Sequence, residues 1–484
     1  MKTAELVIVP SPAIGHLISS VEMAKLLVDQ DDRISVTVLV LKYPWDTQIT
    51  SYTKSLSKSL NPRLKFVMPT EEQSPSLPPE FKSSYWYEFI DSHMGQLRDI
   101  LCEISRSEKT QVAGVVVDML CTSMIDVANE FGVPSYVYYT TGAAFLGLVL
   151  HLQSLRDDFN EDITEYKDKE VDLCVPTYIN PVPASVFPGV MFDKDGCKLF
   201  LNQAKRYRET KGIIINTFLE LESHAVQALS KDSNIPPVYT IGPLLNLKSE
   251  GVESQESDEL MILKWLDHQP NLSVVFLCFG SYGAFSVEQV KEIAHALESS
   301  GQRFLWSLRR PPTEGKIELP GEFQNFEQVM PEGFLERTSD TGRVIGWAPQ
   351  MAVLSHPAVG GFVSHCGWNS ILESVWYGVP MAAWPIYSEQ QVNAFELVKD
   401  LKMAVEIKMD YRIDQHFQMK SSEMVNADGI EDGIRCLMDP ENEMRNKVKE
   451  MKKISRLALA QALKEEGGSS YTSLRCFINN VVNP

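Results

Sequence analysis

The chain of 484 residues is too long for one hydrophobic core, because single cores stop growing near roughly 250–300 residues and longer chains divide into domains. Its composition, 44% hydrophobic and 23% charged, excludes a disordered or low-complexity chain. A formal net charge of −19 disfavours nucleic acids and anionic membranes as partners, so local groups such as helix N-termini would have to hold an anionic ligand.

No stretch of the sequence is typical of a targeting or membrane segment. The apolar N-terminal run is interrupted by Glu5 and two prolines, which is atypical of a secretory signal. The uncharged stretch of residues 135–150 is rich in hydroxyl groups and follows a strand-like segment, which favours a half-buried helix over a membrane span. We therefore expect a cytoplasmic protein without a membrane span. The eight cysteines lack CxxC spacing, so no zinc site is expected.

Taken in chain order, short β-branched runs alternate with amphipathic helical patterns. The runs in the N-terminal half are AELVIVP, ISVTVLVL, VAGVVVD, SYVYYT and GIIINTF. Such alternation predicts parallel strands joined by crossover helices, and we assign residues 1–246 to one Rossmann-like domain.

The pattern restarts in the C-terminal half with SVVFLCFGS, RFLWSLR, RVIGW, GGFVSH and PMAAWP. We assign residues 260–460 to a second Rossmann-like domain and the acidic segment 247–259 to a linker. Ser286 and Gln289 predict a capping box for a helix whose apolar face includes Val287 and Leu297. The polar stretch RRPPTEGKIELPGEFQNFEQ predicts a surface loop that can border a site.

Candidate ligand-binding residues follow the predicted strands of this second domain, where open α/β sheets bind ligands. One strand ends at His365, the turn CGWNS follows, and a helix then runs to Gly378, so the amides from Gly367 to Ser370 form a candidate anion site. Glu373 lies one helical turn beyond Ser370, where its carboxylate suits two ribose hydroxyls.

Two further pairs flank that turn. Trp347 and Gln350 offer a flat apolar face and an amide for a planar base. Glu389 and Gln390 offer acceptors and donors for a polyhydroxylated sugar. Together these residues indicate a nucleotide sugar.

The segment from Trp347 to Gln390, with its WAPQ start, HCGWNS centre and terminal Gln, resembles the signature of plant family 1 UDP-glycosyltransferases. The resemblance covers the chain, from PAIGH through VVVD and FGS to EGGSSYTSL. It implies an α/β fold of the GT-B type, with two facing Rossmann-like domains and parallel sheets. The N-terminal domain would bind the acceptor, the C-terminal domain would bind the UDP-sugar, and a C-terminal helix in residues 461–484 would pack back on the N-terminal domain.

The resemblance also implies roles for individual residues around UDP-glucose, with no cofactor and no metal. The donor contacts are Trp347 under the uracil, Ala348 and Gln350 at the uridine, Glu373 at the ribose, His365, Asn369, Ser370 and Ser281 at the diphosphate, and Trp368, Glu389, Gln390 and Thr140 at the sugar. Many relatives have Asp where this chain has Glu389, and the longer carboxylate should still reach the sugar. The D-x-D pairs at 29–31 and 193–195 are interpreted as accidental rather than metal-binding.

His16 and Asp118 end two predicted N-terminal strands and should reach one cleft. Alone, such a histidine is usually a solvated loop residue, and such an aspartate is usually a helix cap. The resemblance favours His16 as the general base and Asp118 as the carboxylate that orients it. Attack opposite the leaving diphosphate would then invert the anomeric carbon, from an α-linked donor to a β-glycoside.

The acceptor stays open at this level. Segments 80–95, 119–124, 142–150 and 185–200 are rich in Phe, Met, Leu and Tyr, which suits a flat hydrophobic molecule. A flavonoid or other phenolic hydroxyl is the leading hypothesis, with a terpenoid, a hormone or another UDP-sugar as alternatives. A non-catalytic nucleotide-sugar-binding protein and a nicotinamide-dependent dehydrogenase are the other classes, and the dehydrogenase lacks its G-x-G-x-x-G fingerprint here. A monomer is expected.

Overall fold

The computed structural model describes residues 2–43, 46–56, 61–68, 84–247, 256–313, 318–413, 423–461 and 467–483. In the N-terminal half, helices and strands alternate along most of the chain. They are β1 (Thr3–Val9), α1 (Ile14–Gln30), β2 (Ile34–Leu39), α2 (Thr47–Leu56), β3 (Leu64–Val67), α3 (Ser84–Asp91), α4 (Met94–Ser105), β4 (Thr110–Asp118), α5 (Met124–Glu130), β5 (Ser135–Tyr139), α6 (Ala143–Asp158), β6 (Asp172–Leu173), β7 (Val182–Pro183), α7 (Lys194–Tyr207), β8 (Ile213–Ile215), α8 (Ser223–Lys231) and β9 (Val238–Thr240).

Seven of these strands form one parallel sheet in the order β3-β2-β1-β4-β5-β8-β9. Both faces of the sheet are buried: Val7 and Val9 of β1 lie in one apolar core, and Leu6 and Ile8 lie in the core on the opposite face. This explains why the strands are continuous hydrophobic runs rather than alternating ones.

The C-terminal half has the same arrangement of parallel strands that alternate with helices. Its elements are α9 (Glu256–Asp267), β10 (Val274–Cys278), α10 (Val287–Ser300), β11 (Arg303–Ser307), α11 (Phe334–Arg337), β12 (Gly342–Ile345), α12 (Gln350–Ser355), β13 (Val359–Ser364), α13 (Trp368–Tyr377), β14 (Met381–Ala383), α14 (Gln390–Phe395), β15 (Ala404–Glu406), α15 (Ala427–Met438), α16 (Met444–Ala458) and α17 (Ser469–Val482). A second parallel sheet has the order β12-β11-β10-β13-β14-β15. The prediction of an α/β fold with parallel sheets is confirmed.

Each sheet has a switch point, where crossover connections leave in opposite directions and ligands bind beyond the strand ends. In the first sheet β1 lies between β2 and β4, and in the second sheet β10 lies between β11 and β13. His16 follows β1 and Asp118 ends β4, while Ser281 follows β10 and His365 follows β13. The candidate residues therefore converge on two crevices.

The C-terminal helix returns to the first sheet. Phe477 of α17 packs edge-on against Tyr136 and Tyr239, with ring centroids 5.1 and 5.4 Å apart. Helix α9 begins at Glu256, inside the segment predicted as a linker. Residues 248–255 of that segment lie outside the described residues. The domain boundaries stay predictions.

One local prediction is wrong in part. Ser286 Oγ accepts from Gln289 N at 3.3 Å, as a cap should, but the Gln289 side chain does not return to Ser286. It pairs with the backbone of Val425, over 2.8 and 2.9 Å, so a tertiary partner displaces the reciprocal half of the capping box. Val287 also departs from the predicted apolar face and is 39% exposed.

The uncharged stretch 135–150 forms β5 and the buried start of α6. In the parts of the chain that the structure describes, no helix is long and apolar enough to cross a membrane.

Candidate functional site

An imidazole–carboxylate pair lies at the switch point of the first sheet. His16 Nδ1 lies 2.8 Å from Asp118 Oδ2, and the side chain of His16 is 28% exposed whereas that of Asp118 is fully buried. The other carboxylate oxygen, Oδ1, accepts from Leu120 N at 3.0 Å, which fixes the carboxylate in place. With Nδ1–H donated to Asp118, Nε2 keeps the lone pair that a general base needs.

The surroundings of His16 also tune its protonation. Burial lowers the pKa of His16, but the charge and hydrogen bond of Asp118 and the charge of Glu389 outweigh burial and raise the pKa above its usual value. Thr140 Oγ1 lies 3.1 Å from His16 Nδ1. The resemblance implies a sugar contact for Thr140. The structure places its hydroxyl beside His16.

The predicted anion site lies where β13 passes into α13. Cys366 has a φ of +60°, and Gly367 is the N-cap of the helix. A non-glycine residue with positive φ is strained by about 1–3 kcal/mol and often marks a functional turn. The N–H groups of the first turn of α13 are therefore free to meet an anion, together with the helix dipole.

His365 is held in this turn as a neutral imidazole. It is 6% exposed, and burial lowers its pKa to about 4. A Cβ added at Gly280 or Gly367 would lie 2.6 Å from His365 Nε2, so both glycines are needed for the ring to approach the backbone. At neutral pH His365 can give a diphosphate a hydrogen bond but no positive charge. Ser281 lies in the adjacent turn after β10, half-buried.

Two side chains of α13 connect the halves of the molecule. Trp368 Nε1 donates to the carbonyl of Asn216 at 2.7 Å, and Trp368 is 3% exposed. Asn369 Nδ2 donates to the carbonyl of Gly15 at 3.3 Å. Because the indole N–H donates to Asn216, any hydrogen bond that Trp368 donates to a sugar must come from its backbone amide.

Gln350, Ser370 and Glu373 form one hydrogen-bonded group. Gln350 Nε2 donates to Ser370 Oγ at 2.9 Å and to Glu373 Oε2 at 2.7 Å. Burial raises the pKa of Glu373 to about 7, although the Gln350 hydrogen bond opposes that shift. The carboxyl therefore titrates near neutrality, and ligand hydroxyls that donate to it would favour the ionised form.

Trp347 lies just beyond β12 as a half-buried side chain, and Ala348 beside it is 6% exposed. The buried Trp347 Nε1 has no hydrogen-bond partner among the residues that the structure describes. Of the other aromatic residues that we interpret as core, Trp384 is fully buried and Trp376 and Tyr377 are half-buried.

Glu389 and Gln390 begin α14. Glu389 is its N-cap and follows Ser388, whose φ is +56°. Burial raises the pKa of Glu389, while the nearby charge of His16 opposes that shift. Gln390 Oε1 accepts from Ile386 N and Tyr387 N at 2.9 and 3.0 Å, so its amide N–H₂ group is the part that can reach a ligand.

Both D-x-D pairs have structural partners. Asp31 pairs with Arg33, and Asp193 caps α7 by accepting from Gly196 N. Within the described ranges no group of three His, Cys, Asp or Glu side chains is arranged to hold a metal ion.

Sequence reasoning missed Asn216, and it missed the contact between Trp368 and Gly142, a residue of the predicted acceptor lining. A Cβ at Gly142 would lie 2.8 Å from the Trp368 ring, so glycine permits that close approach. Asn216 immediately follows β8, and a polar residue ending the run GIIIN is the signal that points to it.

Comparisons with known proteins show which sequences and structures this chain is similar to. The sequence model for "UDP-glucoronosyl and UDP-glucosyl transferase" matches residues 239–429. A UDP-glucose flavonoid 3-O-glucosyltransferase of Fragaria ananassa is 54% identical, with 99% of each chain covered. A UGT transferase of Siraitia grosvenorii in complex with UDP is 44% identical with a TM-score of 0.88, covering 99% of this chain and 100% of its own. Medicago truncatula UGT71G1 complexed with UDP-glucose is 41% identical with a TM-score of 0.85, and 99% of each chain is covered.

Proposed function

This chain belongs to the plant family 1 UDP-glycosyltransferases, and we propose that it transfers glucose from UDP-glucose to a hydroxyl of a hydrophobic small molecule, with His16 as general base. Family membership confirms the predicted GT-B fold and the enzyme class, and it removes the dehydrogenase alternative. A flavonoid or another phenolic is the acceptor class that we propose. A cytoplasmic monomer stays a prediction.

The observation that carries the proposal is the closeness of the base to the anion-binding turn. Gly15, the neighbour of His16, accepts from Asn369 of α13 at 3.3 Å. The backbone beside His16 is therefore joined to the first turn of α13 by a hydrogen bond. A diphosphate at the helix N-terminus would leave its sugar between that helix and His16.

The proposed reaction is a single displacement. His16 Nε2 takes the proton of the acceptor hydroxyl while the oxygen forms a bond to the anomeric carbon. The bond from that carbon to the diphosphate oxygen breaks, and UDP leaves with the electron pair. The proton stays on His16, where the Asp118 carboxylate at 2.8 Å stabilises the imidazolium. Attack and departure on opposite faces convert an α-linked donor to a β-glucoside.

We propose that the donor is bound without a divalent cation. The diphosphate would be met by the first-turn amides of α13, by Ser281 and Ser370 hydroxyls and by neutral His365, and these groups donate hydrogen bonds to phosphate oxygens directly. Glucose would be met by Thr140, Glu389 and the amide of Gln390. An assay in excess EDTA tests the metal independence.

An aromatic cluster between the chain after β2 and helix α3 supports a flat acceptor. Tyr43, Trp86 and Phe89 pack with ring centroids 4.7 and 4.4 Å from Tyr43. Apolar and aromatic lining with few polar groups suits a planar phenol. Residues 80–83 of the predicted lining lie outside the described residues.

A mass-spectrometric screen tests the acceptor class. The full chain is incubated with UDP-glucose and EDTA against flavonoids, simple phenols, terpenoid alcohols and plant hormones. We expect a gain of one hexose on flavonoids or phenols. Transfer confined to terpenoids or hormones would contradict the acceptor class, and transfer only from another UDP-sugar would contradict the donor.

Replacing Glu373 by alanine should weaken UDP binding. Hydrogen bonds to a charged group contribute about 1.5–3 kcal/mol, so we expect the dissociation constant to rise roughly 10- to 150-fold. Titration calorimetry with UDP measures the change. Glu336→Ala, at an exposed carboxylate of α11, is the control and should bind like wild type.

The same carboxyl predicts a pH dependence of donor binding. Since the pKa of Glu373 is raised to about 7 and the ligand favours the ionised form, UDP-glucose should bind more tightly above pH 7 than below it. Glu373→Gln should remove this part of the dependence. An unchanged UDP affinity in Glu373→Ala would rule out the ribose role.

A further inference from the structure

The two ends of the polar loop after β11 pair with one another near Trp347. Arg310 and Gly321 exchange two backbone hydrogen bonds of 2.9 Å, which close the loop at its base. Ser307, the last residue of β11, is paired with Ile345 of β12, and Ser307 Oγ donates to the carbonyl of Gly346 at 2.7 Å. Both ends of the loop therefore lie next to the residue that is proposed to carry the uracil.

Arg309 covers one face of the Trp347 indole. Its guanidinium carbon lies 5.1 Å from the ring centroid, and the residue is only 9% exposed. Arg309 Nη2 donates to the carbonyl of Pro320, so the closed loop holds the guanidinium in place. A base can then stack only on the opposite face of the indole.

Glu322, from the other end of the loop, holds the backbone of the same residue. Its Oε1 accepts from Trp347 N at 3.1 Å. Burial lowers the pKa of Arg309, and the charge of Glu322 opposes that shift, so the carboxylate also serves as a nearby counter-charge.

No hydrogen bond from a described residue fixes the orientation of the indole. Trp347 Nε1 is buried and has no partner among the described residues, unlike Trp368 Nε1, which donates to Asn216. The guanidinium over the ring is therefore the polar contact that restrains it. Ordering an aromatic side chain when the base binds costs binding free energy. A ring that is already held in place before the base binds avoids this cost.

We propose that Arg309 is a positioning residue for the nucleotide: it orients the Trp347 indole for the base, while Glu322 fixes the backbone beneath it. The inference rests on the proposed function, because it takes Trp347 as the surface under the uracil. It gives Arg309 and Glu322, near the two ends of the polar loop, a role in donor binding that acts through Trp347 without touching the sugar or the acceptor.

Arg309→Met tests the inference, because it removes the planar cation and keeps an unbranched side chain. A buried cation on an aromatic face contributes enough to predict a roughly 5- to 30-fold rise in the UDP dissociation constant. KM for UDP-glucose should rise similarly, with kcat within about twofold of wild type, because the reacting groups are untouched. Arg309→Lys should recover part of the loss, since it keeps the charge but not the plane.

A double-mutant cycle separates this role from general destabilisation. In the Trp347→Ala background, Arg309→Met should change UDP affinity by less than about twofold, because the ring on which it acts is gone. Arg310→Met is the matched control: it lies in the same loop, is half-buried, and should leave UDP binding at the wild-type value.

The outcomes distinguish the two proposals. If Trp347→Ala weakens UDP binding and both Arg309 variants bind like wild type, the role of Arg309 is overturned and the donor site stands. An equal loss from Arg309→Met with and without Trp347 also overturns it. If Trp347→Ala binds UDP like wild type, Trp347 does not lie under the uracil. The role of Arg309, which acts through Trp347, is then overturned together with that assignment. If Arg309→Met does not fold, Arg309→Lys takes its place in the double-mutant cycle with Trp347→Ala, and the same outcomes apply.

Discussion

Turnover of the His16→Ala variant is expected to fall by roughly 10²- to 10⁴-fold, the usual contribution of a positioned general base. The imidazole keeps a lone pair on Nε2 that can take a proton, since Nδ1 is committed to Asp118 at 2.8 Å. UDP affinity should stay within about twofold of wild type, because the contacts proposed for the UDP part of the donor belong to the other half of the molecule. Steady-state rates with saturating UDP-glucose and UDP calorimetry measure the two effects.

His295→Ala is the matched control, because His295 is exposed on α10 and away from both switch points. It should turn over like wild type. Added imidazole should restore part of the activity of His16→Ala by supplying a diffusible base. Turnover of His16→Ala within about threefold of wild type would remove the general-base role.

Asp118→Asn is expected to lower turnover by roughly 10²- to 10³-fold, because an amide can favour the wrong imidazole tautomer and cannot stabilise the imidazolium. The pH profile should shift as well. Asp118 is the main cause that raises the pKa of His16 against burial, and the base acts only when neutral. In wild type, kcat/KM should therefore rise with pH through a pKa above the usual value for histidine.

Without the Asp118 charge, burial dominates and the acid limb of the profile should move to lower pH in Asp118→Asn. The pH profile distinguishes a loss of the Asp118–His16 interaction from a loss of folding. Misfolding would lower the rate without shifting the acid limb of the profile. Asp126→Asn, at a surface carboxylate paired with Arg206, is the control and should leave rate and profile unchanged. An unshifted acid limb in Asp118→Asn would contradict the coupling.

Much of the architecture is readable from the sequence because strand and helix periodicities are local. Runs such as GVVVD predict buried parallel strands, and residues that end neighbouring parallel strands must meet at one edge of the sheet. His16 and Asp118 are predicted to share a cleft on this ground, and their side chains lie 2.8 Å apart. The catalytic and donor-binding roles of these residues stay predictions.

The parts that sequence reasoning missed depend on partners distant along the chain. Gln289 is a plausible partner for Ser286 by spacing, yet its amide bonds Val425, 136 residues away. Trp368 carries an indole whose N–H is taken by Asn216 of the other half. Arg309 lies in a stretch whose polarity indicates only a surface loop, and its stacking on Trp347 requires the register of two neighbouring strands. No local pattern encodes these contacts.

The central claim is a single displacement at the anomeric carbon driven by His16, and the configuration of the product tests it most directly. Wild-type protein is given UDP-glucose and a phenolic acceptor in excess EDTA, and the anomeric proton of the isolated product is examined by NMR. The large diaxial coupling of a β-glucoside is the predicted result. An α-glucoside, or a reaction that stops when EDTA is added, would contradict the mechanism.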